Sequence, residues 1–110
     1  MTDSQEWIEV GQVADIDPDT NMLRTSIKGQ PVCLYRLDDH SIFATHDICT
    51  HSHASLSEGY LEDGIIECPM HQGCFNVRTG EATAAPCKVA VRTYPVKIDG
   101  DTIYVDGAGE

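Results

Sequence analysis

Two cysteines and two histidines fall into two short pairs, Cys49-x-His51 and Cys68-x-x-His71, on one stretch of the chain. Side chains of this kind, paired like this, are the equipment of a metal site, and a metal site requires all four in one place. That requirement constrains the fold more than any other feature. In extended backbone, residues i and i+2 point to the same side, so Cys49 and His51 can face one point from one loop. Cys68 and His71 need a tight turn, and Pro69, with its fixed φ, helps to set it. The spacer must fold back for the two loops to meet. Glu62-Asp63-Gly64, flanked by Leu61 and by Ile65-Ile66, is a hairpin signal that does this.

The rest of the chain reads as strands. Trp7–Val10, Met22–Lys28, Val32–Leu37 and Ser41–Thr45 are strand candidates, with turns at Gly29-Gln30-Pro31 and Asp38-Asp39-His40. Asp15–Asp19, broken by Pro18, is a loop. Phe75–Arg78 is a strand closed by Thr79-Gly80. Tyr94–Ile98 and Thr102–Val105 form a hairpin about Asp99-Gly100-Asp101. No helical period of ten residues or more is present. Short segments joined by short turns predict an antiparallel all-β fold.

A length of 110 residues suits one domain with a modest core. Eighteen acidic against seven basic residues give a formal charge of -11. That disfavours nucleic acid and anionic membranes, which reward Lys and Arg. It suits solubility, and it suits steering toward a basic patch on a protein partner. No apolar run reaches the ~20 residues needed to span a bilayer. The acidic N-terminus has no signal-peptide pattern, so a cytoplasmic location is expected. An odd count of five cysteines disfavours a disulfide framework. Cys33, in the apolar run VCLY, is expected to be a core residue. Cys74 is close to the motif in sequence but is not expected to be a ligand, and Cys87, after Pro86 in a loop, is expected to be a free thiol.

Two metals accept two thiolates and two imidazoles. One is a structural tetrahedral zinc. The other is a [2Fe–2S] cluster with two Cys on one iron and two His on the other. Zinc fingers usually pair Cys with Cys and His with His along the chain. Here each loop carries one of each, which fits a cluster lying between two loops.

The motif CTH…CPMHQGCFNVRTG resembles the Rieske signature, and the likeness extends over nearly the whole chain. In particular the chain resembles the small Rieske ferredoxins of bacterial multicomponent aromatic ring-hydroxylating dioxygenases, of the naphthalene and biphenyl kind. The resemblance implies one Rieske domain over 1–110. Its fold would be an antiparallel β-sandwich with a small cluster-binding subdomain. The cluster-binding loops would lie at about 46–57 and 68–75, and a third, covering loop at about 84–87. It implies one [2Fe–2S] cluster, with Cys49 and Cys68 on the inner iron and His51 and His71 on the outer one. The chain would be an electron carrier and not an enzyme. It would take electrons from an NAD(P)H-dependent flavoprotein reductase and pass them to a terminal oxygenase, docking transiently through its acidic surface, most simply as a monomer.

Respiratory Rieske proteins add a disulfide and two hydroxyl donors around the cluster. The matching positions here are Ala54 and Met70 for the bridge, and Gly73 and Phe75 for the donors. Their absence predicts a low-potential centre. Asp47, Glu58, Glu62 and Asp63 are expected near the tip, either guiding docking or forming a solvated face. His40, His46 and His53 are expected to be loop or surface residues. No Gly-rich nucleotide fingerprint and no second cluster of two His and a carboxylate follows the motif. Two other readings stay open: a Rieske-like small subunit of a nitrite reductase, and a zinc-stabilised interaction module.

Overall fold

The computed structural model describes residues 6–50, 54–70, 73–85 and 89–107. Its eleven strands are β1 (Trp7–Gln12), β2 (Met22–Ile27), β3 (Gln30–Arg36), β4 (Ile42–His46), β5 (Tyr60–Glu62), β6 (Ile65–Glu67), β7 (Cys74–Asn76), β8 (Ala82–Ala84), β9 (Thr93–Tyr94), β10 (Val96–Asp99) and β11 (Thr102–Asp106). They form three antiparallel sheets, in the orders β1-β11-β10, β2-β3-β4-β9 and β5-β6-β7-β8. The all-β antiparallel expectation is therefore met.

The central sheet is a wall with a core on each face. Val32 and Leu34 of β3 join one apolar cluster with Ile16, Ile27, Ala44, Tyr94, Ile103 and Val105. Cys33 and Tyr35 of the same strand join the other, with Leu56, Ile66, Phe75, Val77 and Val91. Alternate side chains of a strand point to opposite faces. The unbroken run VCLY is thus what a strand buried on both sides requires. The second cluster fills the space against the β5–β8 sheet. Its inner row runs across four strands as Leu61, Ile66, Phe75 and Ala82.

Among the hairpins of the described residues, three turn through two-residue loops that set the register. Asp63 (φ 54°) and Gly64 (φ 78°) join β5 to β6, and Lys28 (φ 52°) and Gly29 (φ 83°) join β2 to β3. Two successive positive φ values match the right-handed twist of the flanking strands. The β2–β3 turn lies earlier than Gly29-Gln30-Pro31, because Gln30 and Pro31 already pair with Ile27 and Ser26. The third turn, Gly100-Asp101, closes β10 on β11.

Tyr94–Ile98 is not one strand. Thr93 and Tyr94 pair with β4, and Val96–Asp99 pair with β11. Pro95 stands at the switch between sheets. It has no N–H to give to a ladder, and its carbonyl accepts the Asp106 N–H at 3.0 Å. The short strand β8 completes the third sheet and had no signal in the sequence.

Candidate metal centre

Cys49 and Cys68 head two loops of matching construction. The Cys49 N–H donates to the Ala54 carbonyl at 3.0 Å, and the Cys68 N–H donates to the Gly73 carbonyl at 2.7 Å. Each cysteine therefore closes a loop onto the residue five positions ahead. An Ile48–Ser55 bridge backs the first loop. The strands β6 and β7 enter and leave the second. His51 stands in the first loop and His71 in the second, and both lie outside the described residues.

Both thiols are buried, Cys49 at 2% and Cys68 at 1% exposure, in the same apolar cluster as Leu56, Ile66 and Phe75. The structure thus brings together two of the four expected ligands, from loops far apart in sequence. Two buried thiols at the heads of paired loops, each loop carrying a histidine, fit a cluster that takes sulfur on one side and imidazole on the other. The apolar surroundings of the two buried cysteines would keep solvent from a group held there.

A hydrogen bond ties the first loop to the segment that follows the expected third loop. The Thr50 hydroxyl donates to the Val89 carbonyl at 2.7 Å. The expected covering loop at 84–87 begins on β8 at Ala84, and Pro86 and Cys87 lie outside the described residues, as does His53. Pro69 and Met70, between the expected ligands Cys68 and His71, are exposed, and so is Val89.

Among the other cysteines, Cys33 is fully buried, as the apolar run predicts. Burial pushes its thiol far above the ordinary 9.0, which makes it inert. Cys74 is half-buried at the start of β7, and its thiol is pushed up by burial and then by the charges of Glu67 and Cys68.

One expectation fails. Asp47 is not part of an acidic surface at the tip: it is fully buried. Its Oδ1 accepts the Ser57 N–H at 2.9 Å, its carbonyl accepts the Leu56 N–H at 2.6 Å, and Arg24 Nε stands 3.1 Å from Oδ2. Leu56 and Ser57 return from the far side of the loop and Arg24 comes from β2, so local charge pattern carried no sign of them. Glu58, Glu62 and Asp63 are exposed, as expected.

The model of the Rieske [2Fe-2S] domain matches residues 6–95, most of the chain. The chain belongs to the Rieske [2Fe-2S] family. Its relatives narrow the branch. The anthranilate 1,2-dioxygenase ferredoxin subunit of Burkholderia cepacia is 45% identical over 92% of this chain and 92% of its own length. The naphthalene 1,2-dioxygenase system ferredoxin component of Pseudomonas aeruginosa is 40% identical over 94% of this chain and 97% of its own. A solved complex of reduced oxygenase and oxidised ferredoxin in carbazole 1,9a-dioxygenase contains a chain of the same fold. It superposes with a TM-score of 0.84 at 40% identity, covering 94% of this chain and 95% of that one.

Shape alone does not separate the branches of this Rieske fold. The nitrite reductase small subunit from Mycobacterium tuberculosis reaches a TM-score of 0.85, over 98% of this chain and all of that one, yet is 23% identical. Sequence, not backbone, distinguishes the two readings. The chain is a relative of dioxygenase ferredoxins, electron-transfer components rather than catalysts. Among the described residues, no helix is long and apolar enough to cross a membrane.

Proposed function

We propose that this Rieske domain is the one-electron carrier of an aromatic ring-hydroxylating dioxygenase system. It takes electrons from an NAD(P)H-dependent flavoprotein reductase and delivers them to the terminal oxygenase, as a cytoplasmic monomer docking transiently by its acidic surface. The observation that carries the reading is near-full-length identity of 40–45% to ferredoxin components of such systems. The same identity favours it over the nitrite reductase reading, whose support is the fold alone.

Cys49, His51, Cys68 and His71 would hold one [2Fe–2S] cluster, which supplies reversible one-electron chemistry. The protein's part is to seat it and to set its surroundings. Imidazole in place of two thiolates removes negative charge, so such centres lie at roughly -150 to +300 mV. The residues around the site favour the low end. Phe75 and Gly73 bring no hydroxyl, and both are buried against the second loop. The nearby Tyr35 hydroxyl is engaged with Thr45 Oγ1 at 2.8 Å. Ala54 and Met70 cannot form a disulfide.

The test is reconstitution. The purified chain is mixed with a reductase and a terminal oxygenase of the naphthalene type and NADH, and product is followed. Turnover that depends on this chain is expected, and His71→Ala should abolish both turnover and the reduced-state cluster spectrum. Equal product with and without the chain would exclude the carrier role.

A further inference from the structure

A carboxylate with no solvent exposure sits two residues before the first expected ligand. Asp47 is at 0%, and its α-carbon lies within about 7 Å of that of Cys49 by chain length alone. Its polar groups are held from three parts of the fold. The N–H donates to the Pro31 carbonyl at 3.0 Å, at the start of β3. The carbonyl and Oδ1 take the N–H groups of Leu56 and Ser57. Oδ2 faces Arg24 Nε on β2 at 3.1 Å. That last contact is an ion pair off the hydrogen-bond line, since Oδ2 has no hydrogen bond among the described residues.

The two charges of the pair sit in different media. The Arg24 side chain is 54% exposed and the Asp47 side chain 0%. Water and salt screen the cation much more than the anion. The buried anion therefore keeps a net field on its apolar surroundings, which the cation offsets only in part. Cys33 already registers both signs: beyond the larger effect of burial, Asp47 pushes its thiol up and Arg24 draws it down.

We propose that the Arg24–Asp47 pair tunes the reduction potential of the centre headed by Cys49. Reduction brings one electron, and so one negative charge, into the neighbourhood of a buried anion. Asp47 disfavours that step, and Arg24 relieves part of the penalty. Neither residue touches the metal in this account. They are positioning residues whose lever is charge, and the inference rests on the Rieske reading above.

The experiment is a dithionite redox titration, with electron paramagnetic resonance, of the wild-type holoprotein and of R24Q, R24K and D47N. R24Q should lower the midpoint, and R24K should restore it. D47N should raise it, by more than R24Q lowers it. Added salt should shrink the R24Q shift, and the resonance line shape should stay that of the wild type. An unmoved or raised midpoint in R24Q, or shifts of the same sign in R24Q and D47N, would overturn the proposal. Should D47N fail to fold, the R24Q and R24K pair decides alone, because Arg24 is half in solvent. A wild type without an iron–sulfur signal would instead overturn the Rieske reading, and this inference with it.

Discussion

At the scale of single residues, a few positions leave no room for change. Gly59 precedes β5, and a Cβ there would lie 2.0 Å from the Glu67 carbonyl oxygen. Glu67 is the residue before Cys68, so this close approach of two backbones fixes where the second loop starts. Backbone cannot rotate away as a side chain can. Gly59→Ala should cost about 1–3 kcal/mol in urea unfolding and speed loss of iron from the holoprotein. Unchanged stability would mean that the approach is looser than drawn. The same substitution at Gly64 meets the flexible Arg78 guanidinium, so its cost should come from the φ of 78° instead.

The two Cys/His pairs proposed as ligands stand out by local spacing, and the Asp63-Gly64 turn and the buried Cys33 were legible residue by residue, because each rests on local chemistry. The burial of Asp47 was not. Its partners Arg24, Pro31 and Ser57 lie 10 to 23 positions away in sequence, and an isolated Asp beside His46 reads as surface.

At the scale of elements, β3 divides two cores that should respond differently. Leu34 faces the core shared with β11, and Phe75 faces the core that holds Cys49 and Cys68. Both are fully buried. Leu34→Ala should lose about 2–5 kcal/mol and Phe75→Ala about 3–5 kcal/mol by denaturant unfolding. The two should differ in iron retention, which should fall in Phe75→Ala and hold in the folded fraction of Leu34→Ala. Equal iron loss would mean that the cores are not separate in effect. The strand boundaries explain what pattern reading can and cannot reach. Pattern reading located β2, β3 and β11 from β-forming residues bounded by turn signals. It could not locate β8, a three-residue strand defined by pairing with β7, nor the break at Pro95, where one apolar run serves two sheets.

At the scale of the whole molecule, the buried pair Cys33 and Tyr35 ties stability to pH. Burial pushes both groups above their ordinary values of 9.0 and 10.0. In the unfolded chain they ionise at those ordinary values, whereas the folded chain keeps them protonated. Their contribution is complete below 9.0 and is lost progressively above it. Unfolding free energy should therefore fall as pH rises past 9.0 and then past 10.0. Cys33→Ala should make the fall that begins at 9.0 shallower, leaving the smaller share of Cys74, and keep the fall in the tyrosine range. A fold equally stable across that window would contradict the burial of both groups.

The charge of -11 belongs to this scale too: in the proposed carrier role it would steer the chain toward a basic patch on a partner. All of this depends on what the two loops hold. The most direct measurement is the iron and acid-labile sulfide content of the purified chain, with the resonance spectrum of the dithionite-reduced protein. About two irons and two sulfides per chain, with the low average g of a cluster bound by two imidazoles, is the predicted result. A colourless chain carrying one zinc and no sulfide would contradict it.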